Sequence, residues 1–165
     1  MRIEHAELGD LKEIKEIFSS AKKQMFGLDI KQWTADYPSE ADMIKDIHSS
    51  ELLIFRNSEK QIVSIGTLTQ TPYKSDDQHQ FTKNDWFIKR LAVRAQESGH
   101  GLGMSWIQCS LEEFCETGSR IYSLTNHTNW AMQRLFMKTG FKKTGEILIK
   151  ERSAFGPFYV YRKDR

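Results

Sequence analysis

Apolar residues recur at helical spacing from Leu11 through Ile14, Ile17, Phe18, Ala21 and Met25 to a stop at Gly27, which predicts an amphipathic helix. Asp10 followed by Glu13 reads as a capping box at its start, and a short strand precedes it around Ile3. From Phe26 to Pro38 aromatic residues occur without a clean period, so this stretch reads as a loop. Pro38 and Ser39 then open a second, short helix that carries Ala41, Ile44 and Ile47. Leu52 to Phe55 and Ile62 to Leu68 are β-rich runs joined by the polar residues Asn57, Ser58, Glu59 and Lys60, and they predict an antiparallel hairpin.

The segment from Pro72 to Asn84 is polar and without pattern, and it gives way to a run from Trp86 to Val93 that predicts a central strand. A glycine-rich turn follows. Met104, Ile107, Leu111 and Phe114 then keep helical spacing up to Gly118, so a third helix is expected from roughly Gly101 to Thr117. Next come a strand from Ile121 to Thr125 and a helix capped by Asn129 that turns Met132, Leu135 and Phe136 inward and stops at Gly140. Strands near Ile147 and Tyr159 complete the chain. The strand, glycine loop and helix between Trp86 and Thr117 form the central unit.

With 165 residues the chain is the size of one ordinary domain, and a single domain over residues 1–165 is expected. Lys and Arg total 24 against 22 for Asp and Glu, a net charge of +2, so no global field gathers polyanions and nucleic acid is not an expected partner. No stretch approaches the roughly 18 apolar residues of a membrane span, which argues for no membrane partner and a cytoplasmic, unexported chain. Cys109 and Cys115 stand six apart on the third helix, about 240° around its axis, and cannot bridge within it. That suits a reducing compartment.

Gly99, Gly101 and Gly103 alternate where the buried strand hands over to the third helix. Such a loop lets backbone N–H groups approach an anion while the helix N-terminus adds partial positive charge. A Walker A loop is excluded because no Gly-Lys-Ser/Thr follows. The dinucleotide fingerprint fails as well, since its first glycine would come directly off the strand.

Leu91, Ala92 and Val93, a loop of about four residues, and then the glycine pair resemble the GNAT superfamily of N-acetyltransferases. The downstream residues Asn129, Leu135, Phe136, Lys138, Gly140 and Phe141 match that superfamily's second segment. Ile30, Gln32, Trp33, Tyr37, Pro38, Asp46 and Ile47 are similar to one uncharacterised bacterial branch, so the resemblance covers nearly the whole chain. It implies an α/β (α+β) chain with the GNAT fold: a mixed, mostly antiparallel central sheet of about six to seven strands, splayed at its middle and flanked by about four helices.

Counted from Val93 and from the helix residues Trp106 and Ile107, the family's Gln/Arg position falls on Ser98 and its glycine pair on Gly101 and Gly103. The resemblance implies acetyl-CoA as co-substrate and no metal. The pyrophosphate would rest on main-chain amides of Ser98, Gly99, His100, Gly101, Leu102 and Gly103, with Asn129 and Phe136 beside the coenzyme. The pantetheine arm would pair with the backbone of Leu91, Ala92 and Val93 like an added strand, and an N–H there would polarise the thioester carbonyl.

The acceptor amine attacks directly in this family. Deprotonating a lysine-like amine at pH 7 costs about 4.6 kcal/mol, whereas expelling a thiolate without a general acid costs only about 2 kcal/mol. The family's usual acid, a tyrosine, aligns with Phe136, which has no proton to give, and leaves Tyr122 or an ordered water as a substitute. Candidate bases are Asp85 and His127. Trp33, Tyr37 and Trp86 are candidate acceptor-binding residues and, with Phe26, Asp29 and Asp36, offer aromatic faces and carboxylates to an amine cation.

The expected activity is that of an acyltransferase that acetylates a primary amine of a small molecule, an amino acid or a peptide, with a homodimer open to it. The alternative is a CoA-binding sensor or regulatory module with weak or no catalysis, and a nucleotide-binding fold of another kind is a more distant rival.

Overall fold

The computed structural model describes residues 2–73 and 81–165. Residues 74–80 of the expected polar stretch lie outside the described residues. Among the described residues there are seven strands, β1 (Ile3–His5), β2 (Leu52–Arg56), β3 (Ile62–Thr69), β4 (Trp86–Val93), β5 (Arg120–Asn126), β6 (Lys142–Ile147) and β7 (Phe158–Asp164), and four α-helices, α1 (Leu11–Gly27), α2 (Glu40–His48), α3 (Leu102–Phe114) and α4 (Trp130–Lys138). The strands form one open sheet in the order β1-β2-β3-β4-β5-β7-β6, antiparallel throughout except for the parallel pair β4 and β5.

The start of α1 departs from expectation. Asp10 and Glu13 do not cap one another. Asp10 accepts from the Glu7 amide at 3.0 Å and caps a 3-10 turn over Leu8–Asp10. Glu13 instead accepts from the Ile62 amide at 2.9 Å and from Arg94, tying α1 to the end of the sheet where β3 begins and β4 has just finished. The second helix starts as the sequence predicts, with Ser39 accepting from the Asp42 amide at 3.1 Å.

The two faces of the sheet are covered by different elements. Trp106, Ile107 and Leu111 of α3, with Phe136 of α4, pack on Leu53, Phe55, Ile88 and Ile121. Ile14, Ile17 and Phe18 of α1, with Met43 and Ile47 of α2, pack on Leu52, Ile54, Ile65 and Ala92 on the opposite face. A third cluster of Phe87, Tyr122, Phe158 and Val160 covers the β5 and β7 half.

Between β4 and β5 the pairing is short. Trp86, Phe87 and Ile88 face Ile121, Tyr122 and Ser123, and there the ladder stops. Beyond it β4 bonds only to β3 and β5 only to β7, so their facing edges part and open a V. Within β4 a bulge changes the phase of the strand. Ala92 faces Ile65 and Lys89 faces Thr67, so Arg90, at φ 54°, and Leu91 stand against the single residue Gly66. As a result Trp86, Ile88, Leu91 and Val93 all turn toward α3, and Arg90 stays on the side of α2.

Candidate active site

A cleft of about 250 Å³ fills the V between the parted strands. Its walls are Lys89 to Val93 from β4, Ser123 to Thr125 from β5, the C-terminal end of α1, the loop bearing Gln32, Trp33 and Tyr37, and Asn129, Met132, Leu135 and Phe136 from α4 and its cap. Tyr73, Ile149, Arg152 and Phe158 close it from the far side.

One end of the cleft lies against the start of α3, where Ser98 and Gly103 line it. Gly101 is the residue before the helix, at φ 79°, and has no side chain to cap it. The first intrahelical bond is from the Ser105 amide to Gly101 C=O at 3.0 Å, so the N–H groups of Leu102, Gly103 and Met104 precede the ladder and point out of the helix end. Gly103 is needed for a different reason. A Cβ there would stand 3.1 Å from Leu135 Cδ2 and 3.7 Å from Val93 Cγ2, so the missing side chain lets α3 and α4 converge at the tip of the V. Leu102 is buried, and Gly99 carries a positive φ of 86°. His100 is exposed and projects toward Glu97, its Nδ1 4.0 Å from that carboxylate.

Asn129 accepts from the Met132 amide at 3.3 Å and caps α4, and its amide donates to Gln32 Oε1 at 3.3 Å. Gln32 Oε1 also accepts from the Asn126 amide at 2.8 Å and from Thr125 Oγ1 at 3.0 Å, which fastens the loop after α1 to the free end of β5. Phe136 is buried against Phe141 and Tyr161 and shows one edge to the cleft.

Several expected residues stand elsewhere. Asp85 is 1% exposed at the closed end of β4, where Arg120 grips it through two bonds of 2.8 and 2.7 Å. Burial opposes its charge, but the Arg120 bonds and the Thr82 amide outweigh burial and hold the carboxyl below its usual range. A base so occupied and so placed is not in the cleft. Tyr122 is stacked on Phe87 with centroids 5.8 Å apart, inside the third core cluster, at the closed end where β4 and β5 are still paired. His127 is exposed, with Nε2 3.2 Å from Phe155 O, and does not line the cleft. Trp86 packs at the start of β4 with the α3 cluster, remote from the opening. Asp29 is exposed and paired with Lys31, and Asp36 is exposed as well, so neither supplies the expected carboxylate.

Trp33 and Tyr37 do line the cleft. Trp33 is buried edge-on to Phe18 at 5.5 Å, so it serves the core and the wall together. Tyr37 accepts from Arg90 Nη1 at 3.1 Å.

The cleft is lined by cations that composition did not indicate. Lys89, Arg90 and Arg152 border it, and among the described residues none that borders it is Asp or Glu. Arg90 is held by buried Asp46 through Nε at 2.9 Å and again through Nη2, and Asp46 also accepts from Thr67 Oγ1 at 2.6 Å. Tyr73 donates its hydroxyl to Ile88 O, which also accepts from Ser123 Oγ at 3.0 Å, at the point where the strands part. Burial raises the Tyr73 hydroxyl above its usual range. The adjacent Lys89 and Arg90 are a visible break in an otherwise apolar strand, and that break is the one signal in the sequence for the bulge. Arg152 and Tyr73 sit in aperiodic segments and carried no signal.

Lys89 donates to Thr71 O at 2.7 Å, and burial followed by the nearby Arg90 lowers its pKa from 10.5 to about 8. Below about pH 8 folded and unfolded chains both hold this proton, and the cost of burying the charge is felt in full. Between about 8 and 10.5 the unfolded chain binds the proton and the folded chain does not, so stability rises with pH there. The stability of Lys89→Met relative to the native chain, measured by urea titration, is therefore expected to fall as pH rises from 8 to 10.5. A difference constant with pH would refute the shift.

No known family's sequence profile and no curated protein matches the chain. Solved structures do. A GNAT-family acetyltransferase from Streptococcus agalactiae superposes with a TM-score of 0.83 at 20% identity, over 99% of this chain and 95% of that one. The aminoglycoside enzyme AAC(6')-Ib, in complex with ribostamycin and coenzyme A, gives 0.74 at 16% identity over 99% and 93%. Ribosomal-protein-alanine N-acetyltransferase from Brucella melitensis gives 0.69 at 15% identity over the full length of both chains. With its strands parted at one parallel pair beside an uncapped helix start, the chain has the fold of the GNAT acetyltransferases.

Proposed function

We propose that this chain is a single-domain, cytoplasmic N-acetyltransferase that moves an acetyl group from acetyl-CoA to a primary amine of a small molecule, amino acid or peptide. The observation that carries the reading is the cleft between β4 and β5, which runs from an uncapped helix start along a free strand edge. Those features fit the coenzyme. The amides of Leu102, Gly103 and Met104 suit a diphosphate, with Ser98 beside them. Leu91, Ala92 and Val93 turn an unpaired edge to the V, suited to an extended amide-bearing arm.

When bound, acetyl-CoA supplies an activated thioester. The chain's own residues hold and orient. Backbone N–H groups along β4 act on a carbonyl without help from side-chain chemistry. Phe136 excludes water where the family places its acid. Since thiolate release costs only about 2 kcal/mol at neutral pH, a missing acid slows such an enzyme without stopping it. Tyr73 replaces Tyr122 as the tyrosine whose hydroxyl borders the cleft beside the parted strands.

The test is calorimetric titration with CoA, followed by incubation with acetyl-CoA and an amine panel while free thiol is read. Submicromolar to micromolar CoA binding with amine-dependent thiol release is expected. Binding without release would move the reading to a CoA-binding regulatory module, and no binding would end both. In Gly101→Val, a β-branched side chain must adopt φ 79° directly beneath the exposed amides. CoA affinity should drop at least about tenfold, with helix content by circular dichroism unchanged.

A further inference from the structure

Of the three cations among the described residues around the cleft, two are accounted for. Arg90 is neutralised by Asp46, and Lys89 donates to the carbonyls of Thr71 and Pro72. Arg152 is different. Its Nη1 donates to Gln32 O at 2.6 Å, and among the described residues it makes no ion pair and no further hydrogen bond. The guanidinium carbon lies 4.8 Å from the Tyr37 ring centroid and 4.8 Å from that of Phe158, so both partners are aromatic faces. Nothing there competes for the edge formed by Nε and Nη2.

That edge is the one that binds a carboxylate through two parallel hydrogen bonds, and a half-buried guanidinium with only neutral partners has a strong need for such an anion. Arg152 borders the cleft together with Tyr37 and Phe158. Burial lowers its pKa, the effect expected of a cation whose counter-charge is missing.

We infer that Arg152 is a specificity residue that receives a carboxylate of the acceptor, so that the substrate is an amine that also bears a carboxylate, as an amino acid does. The inference rests on the acetyltransferase reading and narrows its acceptor class. It also disfavours polycationic acceptors, which would meet Lys89 and Arg152 with no carboxylate among the described residues that border the cleft.

The experiment uses the full chain saturated with CoA. The twenty standard amino acids and their carboxamides are tested in pairs by calorimetry, and in parallel for thiol release from acetyl-CoA. At least one acid is expected to bind, and to be acetylated, at least about tenfold better than its amide. Arg152→Gln should erase that preference with CoA affinity unchanged, and Arg152→Lys, which keeps the charge but loses the fork, should restore part of it. If acid and amide behave alike in the native chain, or only amines without a carboxylate react, the inference is overturned while CoA binding leaves the acetyltransferase reading standing. Failure to bind CoA overturns that reading and this one with it. The acid-to-amide comparison in the native chain does not depend on any variant folding.

Discussion

Gly66→Ala is expected to destabilise the protein by about 1–3 kcal/mol, an effect of overpacking alone. A Cβ at this position would lie 2.7 Å from Trp106 Cζ2 and 2.9 Å from Cη2. The indole has nowhere to go, being 0% exposed and fixed by its Nε1 bond to Leu53 O at 3.0 Å. Gly66 is also the single residue opposite the β4 bulge, so strain there reaches the strand that forms one wall of the cleft. A double-mutant cycle identifies the cause. In a Trp106→Leu background, itself weakened by loss of a large buried ring, Gly66→Ala should cost much less than in the native chain. Equal costs in the two backgrounds would place the penalty somewhere other than the indole.

Asp46→Ala should cost more, about 3–5 kcal/mol, because it leaves a buried guanidinium without its counter-charge. Asp46 is 3% exposed and accepts from both Arg90 and Thr67. Arg90 holds a left-handed conformation at φ 54°, and its pairing with α2 is what keeps that conformation in place. Loss of Asp46 is therefore expected to relax the bulge as well as lower the unfolding midpoint. Arg90→Met with Asp46→Leu, which removes both charges together, should recover most of the loss. If the double replacement is as unstable as Asp46→Ala, burial of an unpaired charge is not the cause.

Elements built on local periodicity were legible in the sequence. Leu11 to Gly27 and Met104 to Phe114 gave their helices because each buries one stripe against a sheet face. The start of α3 at Gly101 was legible too, since strand end and helix phase fix it without any tertiary knowledge. Other features depend on partners distant in the chain. Asp46 meets Arg90 across 44 positions, and Gln32 meets Arg152 across 120, and no spacing rule reaches so far. Glu13 was misread for the same reason: its local partner Asp10 lost to Ile62 and Arg94. Asp85 and Tyr122 looked reactive as residue types. A bidentate arginine occupies Asp85 and the β4–β5 pairing covers Tyr122, and neither could be seen before the sheet was assembled.

The row of positive side chains along the opening bears on the nucleophile itself. For the proposed amine acceptor, an ammonium group brought beside Lys89 and Arg152 meets like charges in a confined space, and each makes its proton easier to lose, whereas Arg90 is offset by Asp46. Every unit by which its pKa falls removes about 1.4 kcal/mol from the roughly 4.6 kcal/mol needed to bare the lone pair at neutral pH. The walls thus favour the reactive form of an entering amine by repulsion, a task that would otherwise fall to a dedicated proton acceptor.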